Sequence, residues 1–303
     1  MAAACKLKPH AAVPVQGGLA VSDTEGFGLP AAIDVSTLIV PFADTTPLTA
    51  DRAIPVETPV NLVYATIPFA VMMATPSDLE DFAYGFSLTE GIIERIADIR
   101  SIHIEEDEHG IKLEMDLISE RLHAHLARRR ALTGRTGCGL CGIEDLNALP
   151  RAHAPSKDAP VLSAAAIGRA LAALDNAQPL NSETRAVHAA AWADLAGRLI
   201  AVREDVGRHN ALDKLIGFLL RKAIPPEQGF VIVTSRCSFE LVEKVAAFGA
   251  RTLIAISAPT SFALERARLH DMTLIGIARR DTMTVFHGKE RISARGGAEA
   301  CRD

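Results

Sequence analysis

The chain has 303 residues, of which 49% are hydrophobic and 5% aromatic, and a formal net charge of −5. This length and composition suffice for one or two globular domains. The negative charge and the scarcity of aromatic side chains argue against a general nucleic-acid-binding protein. No stretch approaches the roughly 18 consecutive apolar residues of a membrane-spanning helix, so we expect none.

The five cysteines are an odd number in a long chain: Cys5, Cys138, Cys141, Cys237 and Cys301. Small secreted domains usually carry an even set that forms disulfides, so this pattern favours a reducing compartment. Residues 1–18 contain no continuous apolar region of the kind found in signal peptides. The sequence therefore predicts a cytoplasmic protein.

The first half of the chain predicts a β-rich α+β domain over residues 33–146, preceded by a disordered tail over residues 1–32. The tail is rich in Ala, Gly and Pro and has no period. Apolar and β-branched runs over residues 56–74 predict strands. Residues 75–80 predict a helix start with a hydroxyl cap, a proline in the first turn and nearby acidic residues.

Two further elements are predicted before the cysteines. Alternating apolar residues over 99–117, with a turn at His109 and Gly110, indicate a β-hairpin. Residues 119–130 predict a basic helix that ends in three consecutive arginines. A proline-containing linker is expected over residues 147–160.

The second half predicts a layered α/β domain over residues 161–295, because strands alternate with helices at regular spacing. The expected helices cover residues 163–174, with a serine cap, and then 239–248 and 261–270. Another helix is expected to start in the segment 205–210 and to end near Lys222. A hairpin over 187–202 and strands over 230–234, 252–257 and 273–278 complete the pattern.

The segment with most chemical character is 134–142, which reads GRTGCGLCG. Glycine tolerates backbone conformations that other residues resist, so we expect a flexible loop that carries Cys138 and Cys141. A nearby cation lowers the pKa of a thiol and favours the reactive thiolate. Arg135 and the arginines before it therefore favour thiol chemistry, either redox or sulfur transfer, at Cys138.

Three other interpretations fit the same loop less well. Its glycines match a dinucleotide-binding fingerprint, but no buried strand precedes them. One pair of cysteines supplies two of the four ligands of a structural zinc site, so no metal is expected. A zinc deaminase needs H-x-E before its cysteine pair. His103 and Glu105 have that spacing, but they fall on the polar face of the predicted hairpin.

Two polar clusters follow predicted strands of the second half. Gly207, Arg208, His209 and Asn210 precede an apolar helix, whose first amides and arginine are suited to an anion. Alternatively, Asp205 or Asn210 is only a helix cap. Ser235 and Arg236 follow the next strand, and ligands of open α/β sheets bind beyond the carboxyl ends of strands.

These segments together resemble the formate dehydrogenase accessory sulfurtransferase family, FdhD. The matching stretches are residues 59–91, GRTGCGLCG, EDVGRHNALDKLIG, TSRCSFELVEKVA and SAPTSFALERA. In the same order they extend the resemblance over about residues 35–292. The resemblance implies a C-terminal cytidine deaminase-like three-layer α/β domain with a smaller β-rich N-terminal domain.

The resemblance also implies a function. Such proteins accept sulfur from a cysteine desulfurase as a cysteine persulfide, here on Cys138, with Cys141 as the second cysteine of the motif. They transfer it to the molybdenum cofactor, bis-molybdopterin guanine dinucleotide, which formate dehydrogenase requires. Two alternatives remain at this point: a zinc-dependent, deaminase-like hydrolase, and a cofactor-binding chaperone that needs no cysteine.

The family has a cofactor-binding segment after its last long strand, which falls here on Ile277, Ala278, Arg279, Arg280, Asp281 and Thr282. The match is partial, because Arg280 and Asp281 replace two small residues and Thr282 replaces an arginine. A large anionic cofactor needs cationic side chains, and Arg208, Arg236 and Arg279 are candidates. Its two similar halves lead us to expect a homodimer.

Overall fold

The computed structural model describes residues 18–21, 28–42, 46–123, 159–279 and 281–293. The strands β1 (Ala32–Ile39) and β2 (Leu48–Pro55) form an antiparallel hairpin. The next strands are β3 (Thr58–Tyr64), β4 (Ile67–Ala74), β5 (Ile99–Asp107) and β6 (Gly110–Leu117). They form one four-stranded sheet in the order β4-β3-β6-β5. This sheet confirms the strands predicted over 56–74 and the hairpin over 99–117.

The helix α1 (Leu79–Thr89) lies between β4 and β5 in the chain, and its start corrects one prediction. The residue before it, Asp78, has a φ of 52° and no capping bond from its side chain. The predicted hydroxyl cap is wrong, because the Thr75 hydroxyl accepts the Val206 amide at 3.2 Å instead. Pro76 likewise precedes the helix rather than occupying its first turn. The acidic first turn is present, with Glu80 and Asp81.

The second half forms a six-stranded sheet in the order β13-β12-β11-β10-β8-β9. Its strands are β8 (His188–Asp194), β9 (Leu199–Asp205), β10 (Gly229–Val233), β11 (Thr252–Ala255), β12 (Thr273–Gly276) and β13 (Thr284–His287). The strands β10, β11 and β12 are parallel, whereas β8 is antiparallel to both of its neighbours. Two short strands, β7 (Leu162–Ser163) and β14 (Ile292–Ser293), pair separately.

Helices cover both faces of this sheet. They are α2 (Ala164–Leu174), α3 (Pro179–Thr184), α4 (Arg208–Arg221), α5 (Phe239–Phe248) and α6 (Ser261–Leu269). Alternate strand residues belong to opposite cores: Val231 packs in the core with α4, α5 and α6, and Ile232 in the core with α2. The predicted three-layer α/β architecture is therefore confirmed, while its likeness to cytidine deaminases stays a prediction.

The helices of the second half were well predicted. The bounds of α5 match the expected ones, and Ser163 caps α2 by accepting the Ala166 amide at 3.1 Å. The short helix α3 and the strand β13 were not predicted. Neither were β1 and β2, because most of their side chains are at least partly exposed and show no clean alternation.

The two halves meet where α1 crosses α4. Gly85 of α1 and Gly217 of α4 face each other so closely that a Cβ on Gly85 would lie 1.7 Å from the carbonyl oxygen of Asp213. The largest apolar core contains side chains from both halves, including Phe82 and Leu215. The described residues of the two predicted domains thus share one core.

Several predicted segments are only partly described. Ala20 forms a parallel bridge with Ala201 of β9. The Ala20 amide donates to the Ile200 carbonyl at 3.0 Å, and the Ala20 carbonyl accepts the Val202 amide at 2.7 Å. The prediction of a disordered tail over residues 1–32 does not hold at Ala20, because β9 is the edge strand of the sheet and pairs with it.

The cysteine loop, 134–142, and most of the linker, 147–158, lie outside the described residues. Of the predicted basic helix, 119–130, residues 119–123 are described and are helical.

Within the described ranges, no helix combines the length and the apolar character that a membrane crossing requires.

Candidate functional site at the carboxyl edge of the sheet

The predicted binding segments converge at one edge of the six-stranded sheet. Because β9, β10, β11 and β12 point the same way, their carboxyl ends lie along one edge. The segments 206–210, 234–238 and 277–282 follow three of these strands. The antiparallel strand β8 begins at this edge with His188, which pairs with Asp205. Open α/β sheets bind ligands beyond such an edge.

The first segment forms the start of α4. Gly207 is the N-cap, and since it has no side chain, none caps the helix. A Cβ at this position would lie 2.7 Å from the side-chain nitrogen of Asn210, which explains the glycine. The first amides of a helix have no acceptor within the helix, and they carry a partial positive charge. The start of α4 is therefore suited to an anion.

Two side chains of this turn present polar atoms without a partner. The Nε atom of Arg208 and the Nε2 atom of His209 are both buried and have no hydrogen-bond partner. Burial and then the neighbouring Arg208 lower the pKa of His209 to about 3, so the imidazole is neutral at physiological pH. Burial and Arg208 also lower the pKa of His188. The turn thus holds the cationic Arg208 and the neutral imidazole of His209, and His188 lies beside it at the start of β8.

Asn210 has a different part in the structure. Its side chain is 3% exposed, and its amide nitrogen donates to the Met73 carbonyl at 2.8 Å and to Asp205 Oδ1 at 3.0 Å. The amide group is therefore engaged inside the protein. The alternative that Asp205 or Asn210 is the helix cap is wrong, because Gly207 is the N-cap and no side chain caps α4. Asp205 instead accepts the Gly207 amide and the Asn210 side chain.

The second segment follows β10. Ser235 is buried and donates its hydroxyl to the Arg236 carbonyl at 3.0 Å, while Arg236 itself is exposed. Ser238 is the N-cap of α5, and its buried hydroxyl has no hydrogen-bond partner. Cys237 between them is fully buried, and burial followed by the charge of Glu240 raises the pKa of its thiol to about 12. The Cys237 thiol is therefore protonated at physiological pH and packs as a small buried side chain.

The third segment follows β12 and forms a tight turn. The Ile277 amide donates to the Ser257 carbonyl at 3.1 Å, and the Arg279 amide donates to the Thr282 carbonyl at 2.7 Å. Ile277 has a φ of 51°, and this left-handed backbone conformation is costly for a β-branched residue. Its side chain is 40% exposed. Ala278 is buried, whereas Arg279, Asp281 and Thr282 are exposed, and Arg280 lies outside the described residues.

Comparison with known proteins identifies the family. A model of the FdhD/NarQ family matches residues 55–293, which is most of the chain. The chain belongs to the FdhD/NarQ family. The match begins at the end of β2 and includes every segment of the sheet edge.

Relatives of known name agree with this assignment to FdhD/NarQ. The chain is 48% identical to a protein of Bordetella petrii over 79% of this chain and 86% of that one. It is 47% identical to a protein of Xanthomonas euvesicatoria pv. vesicatoria over 80% and 87% of the two chains. Both relatives are named sulfur carrier protein FdhD.

A solved structure has the same overall fold. It is a crystal structure described as that of a formate dehydrogenase accessory protein from Desulfotalea psychrophila. It superposes with a TM-score of 0.69 at 25% identity and covers 87% of this chain and 100% of its own. The FdhD/NarQ fold therefore extends over nearly all of the described residues.

The residues that suggested a zinc deaminase are placed apart from the edge. His103 and Glu105 lie on β5 with side chains 61% and 67% exposed. His103 contacts Ser101 and Asp116, and Glu105 pairs with Lys112. The prediction that they occupy a solvated strand face is confirmed.

Sequence reasoning missed one residue of the edge and the polar groups that support it. His188 could have been found from the antiparallel pairing of β8 and β9, which places the start of β8 beside the end of β9. The buried acid–base pairs beneath the edge join residues distant in sequence, such as Asp213 and Lys244 at 2.9 Å.

Cys138 and Cys141 lie outside the described residues, so their placement relative to the edge stays a prediction.

Proposed function

We propose that this member of the FdhD/NarQ family is a cytoplasmic sulfurtransferase that carries sulfur to the molybdenum cofactor of a formate dehydrogenase. One observation carries the proposal: 48% identity, over 79% of the chain, to a protein named sulfur carrier protein FdhD. The description of the structural relative as a formate dehydrogenase accessory protein supports the destination of the sulfur.

Loading takes place on Cys138 and needs no net oxidation. The Cys138 thiolate attacks the outer sulfur of a persulfide on a cysteine desulfurase. A new S–S bond forms at Cys138, the bond to the desulfurase cysteine breaks, and that cysteine leaves as a thiolate. Arg135 and the arginines at 128–130 favour the attacking thiolate by their charge.

Release uses the second cysteine of the loop. When the Cys141 thiolate attacks the inner sulfur of the Cys138 persulfide, the outer sulfur leaves as hydrosulfide for the metal of the substrate cofactor. The two cysteine sulfurs are oxidised to a disulfide and supply the two electrons that reduce the leaving sulfur. A cellular thiol then reduces the disulfide.

The sheet edge is the proposed binding surface for bis-molybdopterin guanine dinucleotide. This cofactor is large and anionic, and Arg208, Arg236 and Arg279 all lie at the edge. The amides at the start of α4 and the hydroxyl of Ser238, which has no hydrogen-bond partner, offer further donors. A homodimer that shares this surface is part of the proposal.

Genetic complementation tests the function. In a bacterium that lacks its own sulfur carrier of this family, the natural chain should restore formate dehydrogenase activity and Cys138→Ala should not. Cys237→Ala is the matched control and should restore activity, because Cys237 is buried away from solvent. Full activity with Cys138→Ala would favour a cofactor-binding chaperone and contradict the proposed carrier.

A further inference from the structure

Asp205 forms the centre of a hydrogen-bonded cluster beneath the candidate edge. Its carboxylate is fully buried at the end of β9. The Oδ1 atom accepts the Gly207 amide at 2.7 Å and the Asn210 side chain at 3.0 Å. The Oδ2 atom accepts the Thr75 amide at 3.0 Å. One side chain thus joins the end of β9, the first turn of α4 and the segment after β4.

Lys214 supplies the opposite charge. Its ammonium lies 2.7 Å from Asp205 Oδ2 and donates to the Thr75 carbonyl at 2.9 Å, and its side chain is fully buried. Thr75 is bound a third time, because its hydroxyl accepts the Val206 amide at 3.2 Å. The segment 205–207 is therefore held on both sides by groups that cannot reach solvent.

Stability alone does not require such a cluster. The desolvation of two buried charges offsets most of their attraction, and apolar residues of similar volume often do as well. A hydrogen-bonded pair, by contrast, fixes the direction of the groups that it binds. The groups bound here determine how the turn from Val206 to Asn210 leaves the sheet and where the first amides of α4 point.

We propose that Asp205 is a positioning residue for the anion-binding start of α4, with Lys214 as its counter-charge and Thr75 as its anchor in the first half of the chain. The inference rests on the proposed function, since it takes that turn to contact the phosphate groups of the substrate cofactor. In this proposal Asp205 acts through the turn that it holds and not by contact with the ligand.

The variant Asp205→Asn tests this inference. An amide has one oxygen, so it can serve either the Gly207 and Asn210 donors or the Thr75 and Lys214 donors, but not both sets. The probe is guanosine 5′-diphosphate, which carries the nucleotide and phosphate chemistry of the cofactor. We expect calorimetry on the full chain to show a Kd raised about tenfold, which corresponds to about 1.4 kcal/mol.

Glu243→Gln is the matched control. Glu243 pairs with Arg266 and His270 between α5 and α6, so its loss also disturbs a buried ionic cluster. Both variants should lower the thermal midpoint, but only Asp205→Asn should weaken binding and speed hydrogen exchange of the amides at 208–210. Equal loss of binding in the two variants, or unchanged binding in folded Asp205→Asn, would overturn the inference.

A second variant covers the case in which Asp205→Asn fails to fold. Thr75→Val keeps the size and charge of the cluster but removes the acceptor of the Val206 amide. We expect its Kd to rise about threefold, or roughly 0.7 kcal/mol, and an unchanged Kd would overturn the inference. Absence of binding by the natural chain would instead overturn the proposed site, and the inference with it.

Discussion

Replacement of Gly85 by alanine should destabilise the protein although alanine favours helices. A Cβ on Gly85 would lie 1.7 Å from the Asp213 carbonyl oxygen and 2.8 Å from the Gly217 amide nitrogen, both of which are backbone atoms of α4. Atoms of the main chain cannot rotate away as a side chain would. The two helices must therefore separate until the first of these distances exceeds about 3 Å.

The magnitude follows from two opposing terms. Overpacking of a well-packed core costs about 1–3 kcal/mol, and a forced shift of two helices belongs at the upper end of that range. Alanine gains about 1 kcal/mol over glycine in a helix interior. The free energy of unfolding should therefore fall by about 2 kcal/mol in Gly85→Ala.

Gly168→Ala is the matched control, because a Cβ on Gly168 in α2 would meet no atom within 4 Å. Only the gain in helix propensity applies there, so this variant should be about 1 kcal/mol more stable than the natural chain. Urea unfolding can be followed by the fluorescence of Trp192, the single tryptophan, which is 1% exposed in the core. Stabilisation of both variants would refute the close crossing of α1 and α4.

Three further predictions follow from single residues. Because the pKa of His209 falls from 6.5 to about 3 on folding, its contribution to stability is complete above pH 6.5 and is lost as the pH falls towards 3. The free energy of unfolding, measured with urea, depends on pH between these values, and His209→Gln should reduce that dependence by up to about 1.4 kcal/mol per pH unit. An unchanged dependence on pH would contradict the burial of the His209 side chain. Ser163→Ala should lower the free energy of unfolding by about 1 kcal/mol through loss of the α2 cap. Ser238→Ala loses no capping bond and should change the urea midpoint little. Equal losses in the two variants would contradict the assignment of Ser163 as a side-chain cap. Iodoacetamide should leave Cys237 unmodified until urea unfolds the chain, as peptide mass mapping would show, since its thiol is buried and its pKa is about 12.

Local patterns predicted most of the regular elements. The helix Phe239–Phe248 and the hairpin of β5 and β6 were predicted correctly, because a single amphipathic face or a simple alternation is legible within about ten residues. The edge of the sheet was also predictable. Polar clusters after consecutive strands meet wherever those strands are parallel.

What could not be predicted depends on contacts between distant residues. Thr75 looked like a helix cap, but its amide, carbonyl and hydroxyl all bind groups more than a hundred residues away. Lys214 and Lys244 would be solvent-exposed on an average helix, yet each is buried against an aspartate. Helical periodicity assigns such lysines to the surface, and only the tertiary structure reveals their partners.

The sulfur-carrying role of Cys138 can be measured directly. The full chain would be incubated with a cysteine desulfurase and cysteine, and its intact mass and peptide masses would then be recorded under non-reducing conditions. We predict a gain of one sulfur atom on the peptide that contains Cys138, none in Cys138→Ala, and none on the peptide that contains Cys237. Absence of added sulfur from the natural chain, or its appearance on Cys237 instead, would contradict the proposed function.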